Sequence, residues 1–212
     1  MNPDSRSPDL ILVRHFPSPL NERKVSRGWL SVGIDKELAA KLAPHVAETL
    51  KKYGVDTLHS SDLPRGEQSA KLIAREMGED VETESTPKLR TWNTGDKVAG
   101  KPEKETIPLR QKYLKNSDIE MPGGESWDDF MDRYGPQIKP MVGKKGKAMV
   151  AHGHHILGIS EALTGEKTDP QKLGGLDENF PPAAVFGVWQ QNGNVRIERL
   201  DKGDKTNARN PA

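Results

Sequence analysis

"LILVRHFPSPLN", residues 10–21, sets an apolar run against an abrupt polar end. Leu10 to Val13 reads as a buried strand. Arg14 and His15 follow side by side at its carboxyl end, where a loop carrying Pro17 and Pro19 begins. Two further stretches repeat the pattern. "KAMVAHGHH", 147–155, is an apolar strand and then histidines, with His152 at the strand end. "VDTLHSS", 55–61, is a short strand that leads to Arg65 in "SSDLPRGEQSA". "AAVFGVWQQ", 183–191, and "VRIERL", 195–200, flank "NGN", a hairpin signal. Strands that alternate with helices predict an α/β fold. The form expected is a three-layer α/β/α sandwich with a mostly parallel central sheet and a C-terminal antiparallel hairpin. Ligands of such sheets bind outside the carboxyl ends of the strands.

Between the strands, Leu38, Leu42, Val46 and Leu50 recur every four residues and predict a helix over 35–53. Pro44 inside it should kink or split it. Asp62 and Pro64 mark a helix start, with the helix running to Met77. A weak strand follows near 80–84. Residues 86–124, rich in Pro and Gly, read as an irregular lid with one short helix around 106–115. Ser126 with Asp129 resembles a helix cap. That helix should break near Gly135-Pro136, and the next runs over 155–164. One domain over 1–212 is expected, with a frayed tail at 201–212.

The bulk numbers exclude much. The chain has 212 residues, enough for one good-sized core. Its net charge of +1 gives no field that would draw nucleic acid or an anionic membrane. There is no cysteine, so disulfide and thiolate chemistry are excluded. "MNPDSRSPD" lacks an apolar signal core, and no apolar run approaches a membrane span, so the default reading is a cytoplasmic protein.

Two arginines and two histidines brought to one sheet edge repel each other unless an anion lies between them. A phosphoryl group answers this, because arginine forks bind its oxygens bidentately. The ordered motifs "RHFPSPLN", "SDLPRGEQSA" (61–70) and "MVAHGHH" resemble the histidine phosphatase superfamily, also called phosphoglycerate-mutase-like. "RGW" at 27–29, "LRTWNTGDKVAGK" at 89–101, "PGGESWDDFMDR" at 122–133 and Asn179 are secondary matches, and the resemblance covers roughly 9–200. It implies that a neutral His15, its pKa depressed by Arg14 and Arg65, attacks phosphorus and becomes a phosphohistidine that water then cleaves. Arg14, Arg65 and His152 would hold the phosphoryl oxygens, and Asn21 would add a hydrogen bond. No metal or other cofactor is required. The implied activity is a metal-independent phosphatase acting on a phosphomonoester or phosphoramidate. The alternatives are a phosphoryl-transferring mutase and a non-catalytic phosphate-binding protein of the same fold. The expected partner is a phosphorylated small molecule or a phosphohistidine; nucleic acid and membrane are not expected, and a homodimer is left open.

Two departures stand out. Phe16 replaces the glycine of Arg-His-Gly; its ring either lines the mouth of the site and touches substrate or packs. Thr91 stands where the family carries its acidic glutamate. Glu125 in "GGES" is the first substitute for that acid and Asp96 the second, with helix capping as the plainer reading of Glu125. Otherwise the substrate carries a good leaving group, or the protein binds without turnover. His154 and His155 read as a helix start with one of them at the pocket rim. Trp92 and Trp127 divide between substrate stacking and lid packing, and Trp92 is taken as the substrate-binding candidate.

Overall fold

The computed structural model describes residues 7–78 and 80–202. Six strands form one sheet: β1 (Leu10–Arg14), β2 (Thr57–Ser61), β3 (Glu82–Thr86), β4 (Lys147–Ala151), β5 (Val185–Gln191) and β6 (Asn194–Arg199). Their order is β3-β2-β4-β1-β5-β6. The first four are parallel, while β5 runs antiparallel to β1 and β6 to β5. Asn192 and Gly193 join the hairpin with φ of 50° and 77°. Positive φ at both positions is what a two-residue turn of matching twist requires.

The central strand β1 is buried along its whole length. Its side chains alternate between two apolar clusters. Leu10 and Leu12 join Trp127 and Phe130 of α5 (Trp127–Ile138) and Ile156 and Ile159 of α6 (Gly153–Thr164). Ile11 and Val13 join Ala43, Val46 and Leu50 of α2 (Lys36–Lys52) and Ile73 of α3 (Pro64–Met77). A helix pair thus covers each face, which is the expected three-layer arrangement. The short α1 (Pro19–Glu22) and α7 (Leu176–Asn179), with α4 (Glu103–Lys115), lie among the connecting segments.

Several helical expectations need correction. Helix α2 is continuous through Pro44, and α5 runs through Pro136 to Ile138 before a 3₁₀ turn at Lys139–Met141. Both prolines are exposed, as are Ala40 and Asp132 four residues back, so water can take the freed carbonyls. The buried stripe of α2 is Ala39, Ala43, Val46, Ala47 and Leu50, while Leu38 is 44% exposed. The N-cap of α3 is Leu63 rather than Asp62, whose carboxylate is taken by Arg90. Helix α4 begins at Glu103. The Ser126–Asp129 cap is present, with Ser126 Oγ accepting from the Asp129 amide at 2.9 Å. Most of the tail expected to fray, from 203 onward, lies outside the described residues. Among the described residues, no helix is long and apolar enough to cross a membrane.

Candidate active site

Strand order brings the motifs together. Strand β4 lies between β1 and β2, with Arg14 in register with Ala151 and Ser60 with Val150. The residues just beyond these ends are therefore neighbours. The rings of His15 and His152 lie 5.1 Å apart between centroids, and Ser61 Oγ is 2.7 Å from His152 Nε2. Both histidines are buried. His15 Nδ1 lies 2.7 Å from the carbonyl of Phe16. A carbonyl only accepts, so Nδ1 carries the proton and Nε2 keeps a lone pair. Burial, then Arg65, Arg14 and Arg27, push the pKa of His15 well below its ordinary value. His152 is lowered in the same direction by burial first and Arg65 next.

One cavity opens on this edge. It is lined by Arg14, His15, Arg65 and His152, and on other sides by Arg27, Arg110, Thr91, Thr94, Glu103 and His154. Four arginines therefore face one glutamate. Arg65 is lowered to about 9 by burial, Arg27 and Arg14, and so stays protonated near neutral pH. The first residues of α6, Gly153 and His154, also line the cavity, which adds the positive end of that helix. Ten buried side-chain polar atoms lack a hydrogen-bond partner among the described residues, and seven belong to this lining: Arg14 Nε, Arg27 Nη1, Arg65 Nε, Thr94 Oγ1, Arg110 Nε, His152 Nδ1 and His154 Nε2. Unpaired donors are normally rare in a folded interior, and seven around one space mark a site for an acceptor-rich ligand.

The arginine forks are not free as the sequence suggested. Arg14 gives Nη1 to the Phe180 carbonyl and Nη2 to Asp177 of α7. Arg65 gives Nη1 and Nη2 to the carbonyls of Leu30 and Gly28, at 3.2 and 2.7 Å. Each keeps only Nε unpartnered. Asn21 is turned away from the cavity. Its Oδ1 accepts from Ser18, and its Nδ2 donates to Asp177 at 3.3 Å.

Four other expected residues are placed elsewhere. Phe16 is fully buried in the cluster with α2 and α3, because its backbone amide is tied to Ser69 Oγ at 2.9 Å and its ring points into the core. Trp92 is fully buried against Trp127, with its indole N–H on the Glu125 carbonyl. Glu125 does not reach the cavity: Arg133 Nη2 binds it at 2.6 Å and the Asn93 amide at 2.8 Å. Asp96 is exposed and does not line the cavity either. His154 does line it, and Thr91 Oγ1 holds its Nδ1 at 2.9 Å.

Sequence reading missed Arg27, Glu103, Arg110 and Asp177 as site residues. The signal for Arg110 was present: Thr106, Arg110 and Leu114, four apart, are the buried stripe of α4. An arginine in such a stripe needs an anionic reason. Glu103 and Asp177 sit in charged stretches that resemble any solvated surface.

Known proteins share this architecture. The family model described as the histidine phosphatase superfamily (branch 1) matches residues 10–199. Phosphoglycerate mutase-like protein 4 of Arabidopsis thaliana is 29% identical over 208 residues, covering 93% of this chain and 81% of that one. A 2,3-bisphosphoglycerate-dependent phosphoglycerate mutase of Parvibaculum lavamentivorans is 25% identical over 203 residues, covering 90% and 95%. Among solved structures, a mycobacterial glucosyl-3-phosphoglycerate phosphatase, in complexes with VO3, superposes with a TM-score of 0.67 at 23% identity, over 90% of this chain and 96% of that one.

Proposed function

This chain belongs to the histidine phosphatase superfamily, a family of phosphatases and mutases, and from that premise we propose that it is a phosphatase that works through a phosphohistidine on His15. The observation that carries the reading is the ring of seven unpartnered polar atoms around a histidine with a free Nε2 lone pair. A phosphoryl group brings only acceptors, and it fits a lining that offers mainly donors.

His15 Nε2 attacks phosphorus while Nδ1–H stays on the Phe16 carbonyl, which steadies the charge that forms on the ring. His152, its Nε2 held by Ser61, offers Nδ1 to a phosphoryl oxygen. The guanidinium groups of Arg14, Arg65, Arg27 and Arg110 balance the charge of the transferring group, so metal-free transfer is part of the proposal. Water then attacks the phosphohistidine and releases phosphate. Preorganised donors of this type are each worth about 100- to 1000-fold in rate. The mycobacterial phosphatase in complexes with VO3 supports the reading by analogy.

The test is hydrolysis of p-nitrophenyl phosphate with and without EDTA, with acid-labile phosphate trapped on the protein. We expect turnover that survives the chelator, a trapped phosphohistidine, and loss of both in His15→Ala. Activity that EDTA removes, or that His15→Ala retains, overturns the proposal. The relatives named as phosphoglycerate mutases carry a second reading. Interconversion of 2- and 3-phosphoglycerate without phosphate release would favour it.

A further inference from the structure

His15 and His152 follow β1 and β4 with their rings 5.1 Å apart, and Arg65, in the first turn of α3, lines the same cavity. His154, in the first turn of α6, and Arg110, on α4, line it too, and Thr91 Oγ1 lies 2.9 Å from His154 Nδ1. In-line attack by His15 sends the leaving oxygen to the side of phosphorus away from Nε2.

Among the described residues, the cavity lining holds no unpaired acid. Glu103 is the one carboxylate among the described residues that line the cavity, and it is paired with Arg27 at 3.4 Å. Glu125 is bound to Arg133, and Asp177 to Arg14. What is offered instead is a hydroxyl and an imidazole. Thr91 is fixed, since its carbonyl receives Trp29 Nε1 at 2.6 Å and Arg133 Nη2 at 3.4 Å. Its hydroxyl holds His154 Nδ1, and Trp92 packs edge-on against the same ring. His154 Nε2 is buried without a partner among the described residues, and it carries the proton when the Thr91 hydroxyl donates to Nδ1. Burial and Arg110 push the imidazole well below its ordinary pKa, so it is neutral and its Nε2–H can donate a hydrogen bond without giving up the proton.

We propose that His154, held by Thr91, meets the leaving-group oxygen as a hydrogen-bond donor only, and that the substrate carries its phosphate on an acidic oxygen: an acyl, enol or aryl phosphate. The inference rests on His15 as nucleophile. The His15 Nε2–P bond forms as the P–O bond breaks, and the electron pair departs on oxygen as carboxylate, enolate or phenolate. That anion needs no proton from the protein. Water then adds its oxygen to phosphorus, the N–P bond breaks back to His15, and one proton goes to solvent. Thr91 is the positioning residue.

The experiment measures kcat/KM, which reports phosphoryl transfer to His15, for acetyl phosphate, p-nitrophenyl phosphate, phenyl phosphate and glycerol 3-phosphate. For the native protein we expect a fall of about 100-fold or more from p-nitrophenyl to glycerol 3-phosphate, the scale of missing acid help. His154→Ala should lose about 100-fold on p-nitrophenyl phosphate and steepen the dependence, with Thr91→Val between it and the native protein. Thr91→Glu, which supplies a transferable proton, should flatten it. Glu103→Gln should leave the dependence on leaving group as it is. A flat dependence in the native protein, no change of slope in His154→Ala, or a slope that steepens in Glu103→Gln overturns the inference. Phosphate trapped on His15 together with a flat slope sinks this inference alone; no phosphohistidine from any of the four substrates sinks the phosphatase reading with it.

Discussion

His15 gives its Nδ1 proton to the carbonyl of the very next residue, so Phe16 acts through its backbone. Its ring is free to serve the core, and any side chain that packs there would preserve the hydrogen bond. That is why the replacement of glycine, conspicuous in sequence, says nothing about substrate. Arg14, His15, Arg65 and His152 were legible because strand ends announce themselves through apolar runs that stop. Glu125 misled, because "GGES" offers the right chemistry at the right distance in sequence while the partner that claims it, Arg133, comes from the next helical turns. Arg133 also donates to the carbonyls of Lys88 and Arg90, so the Glu125 pair clamps the strap that carries Thr91. Glu125→Gln keeps an acceptor for Asn93 but weakens the pair. The expected result is a stability loss of about 1–3 kcal/mol by chemical denaturation. The cost in kcat/KM should be far below the ~100- to 10,000-fold of a lost general acid. A loss on that larger scale would return Glu125 to the chemistry.

At the scale of elements, the sheet order places β4 between the two strands whose ends it must serve, and α3 then packs its first turn against that edge. Gly66 permits the approach. A Cβ there would meet Ser61 Oγ at 2.5 Å and the Ser61 carbonyl at 3.1 Å, with His152 Nε2 at 3.6 Å. Gly66→Ala should push Ser61 off His152 and lower turnover, even though alanine favours the helix by about 1 kcal/mol. Ser61→Ala should produce a similar loss by removing the same hydrogen bond. The double variant should then lose little more than Ser61→Ala alone, since the 2.5 Å clash goes with the hydroxyl and only the carbonyl at 3.1 Å is left to give way. Additive losses would show that Gly66 acts elsewhere. Elements of this kind were readable where pattern and cap agreed, as at β1, α6 and the hairpin. They were misread where solvent hides the cost, as with Pro44 and Pro136. The face of α2 was shifted because alanines, which let a helix approach a sheet closely, were passed over for leucines.

Over the whole molecule, the fold confines four histidines, His15, His152, His154 and His155, in full burial, and each is held below its ordinary pKa, His155 down to about 3. The cause in every case is first burial, joined by arginine charge, from the cavity's arginines for the first three and from Arg133 and Arg65 for His155. In the unfolded chain these groups take up protons near pH 6.5. Below that pH the unfolded state therefore binds more protons than the folded one, and stability falls as pH falls. Each histidine contributes about 1.4 kcal/mol per pH unit once its unfolded form is fully protonated. Four together approach ~5–6 kcal/mol per unit, which would exhaust a typical total of about 5–15 kcal/mol within one to three units. The carboxylates whose cationic partners shift them, Glu48, Asp62 and Asp177, are all lowered from their ordinary values and so act further down the scale. The window below pH 6.5 and above the carboxylates belongs to the histidines. Denaturant melts at steps from pH 7.5 to 4.5 should show a nearly flat stability above 6.5 and a steep decline below it. His155→Gln should remove about a quarter of that slope without emptying the cavity of its donors. Vanadate or phosphate, by binding the folded cavity alone, should move the acid transition to lower pH by RT ln(1 + [L]/Kd), about 2.7 kcal/mol at a hundredfold excess over Kd. A protein that kept its full stability down to pH 4.5 would mean that these imidazoles are protonated in the folded state, and the neutral nucleophile at His15 would lose its physical basis.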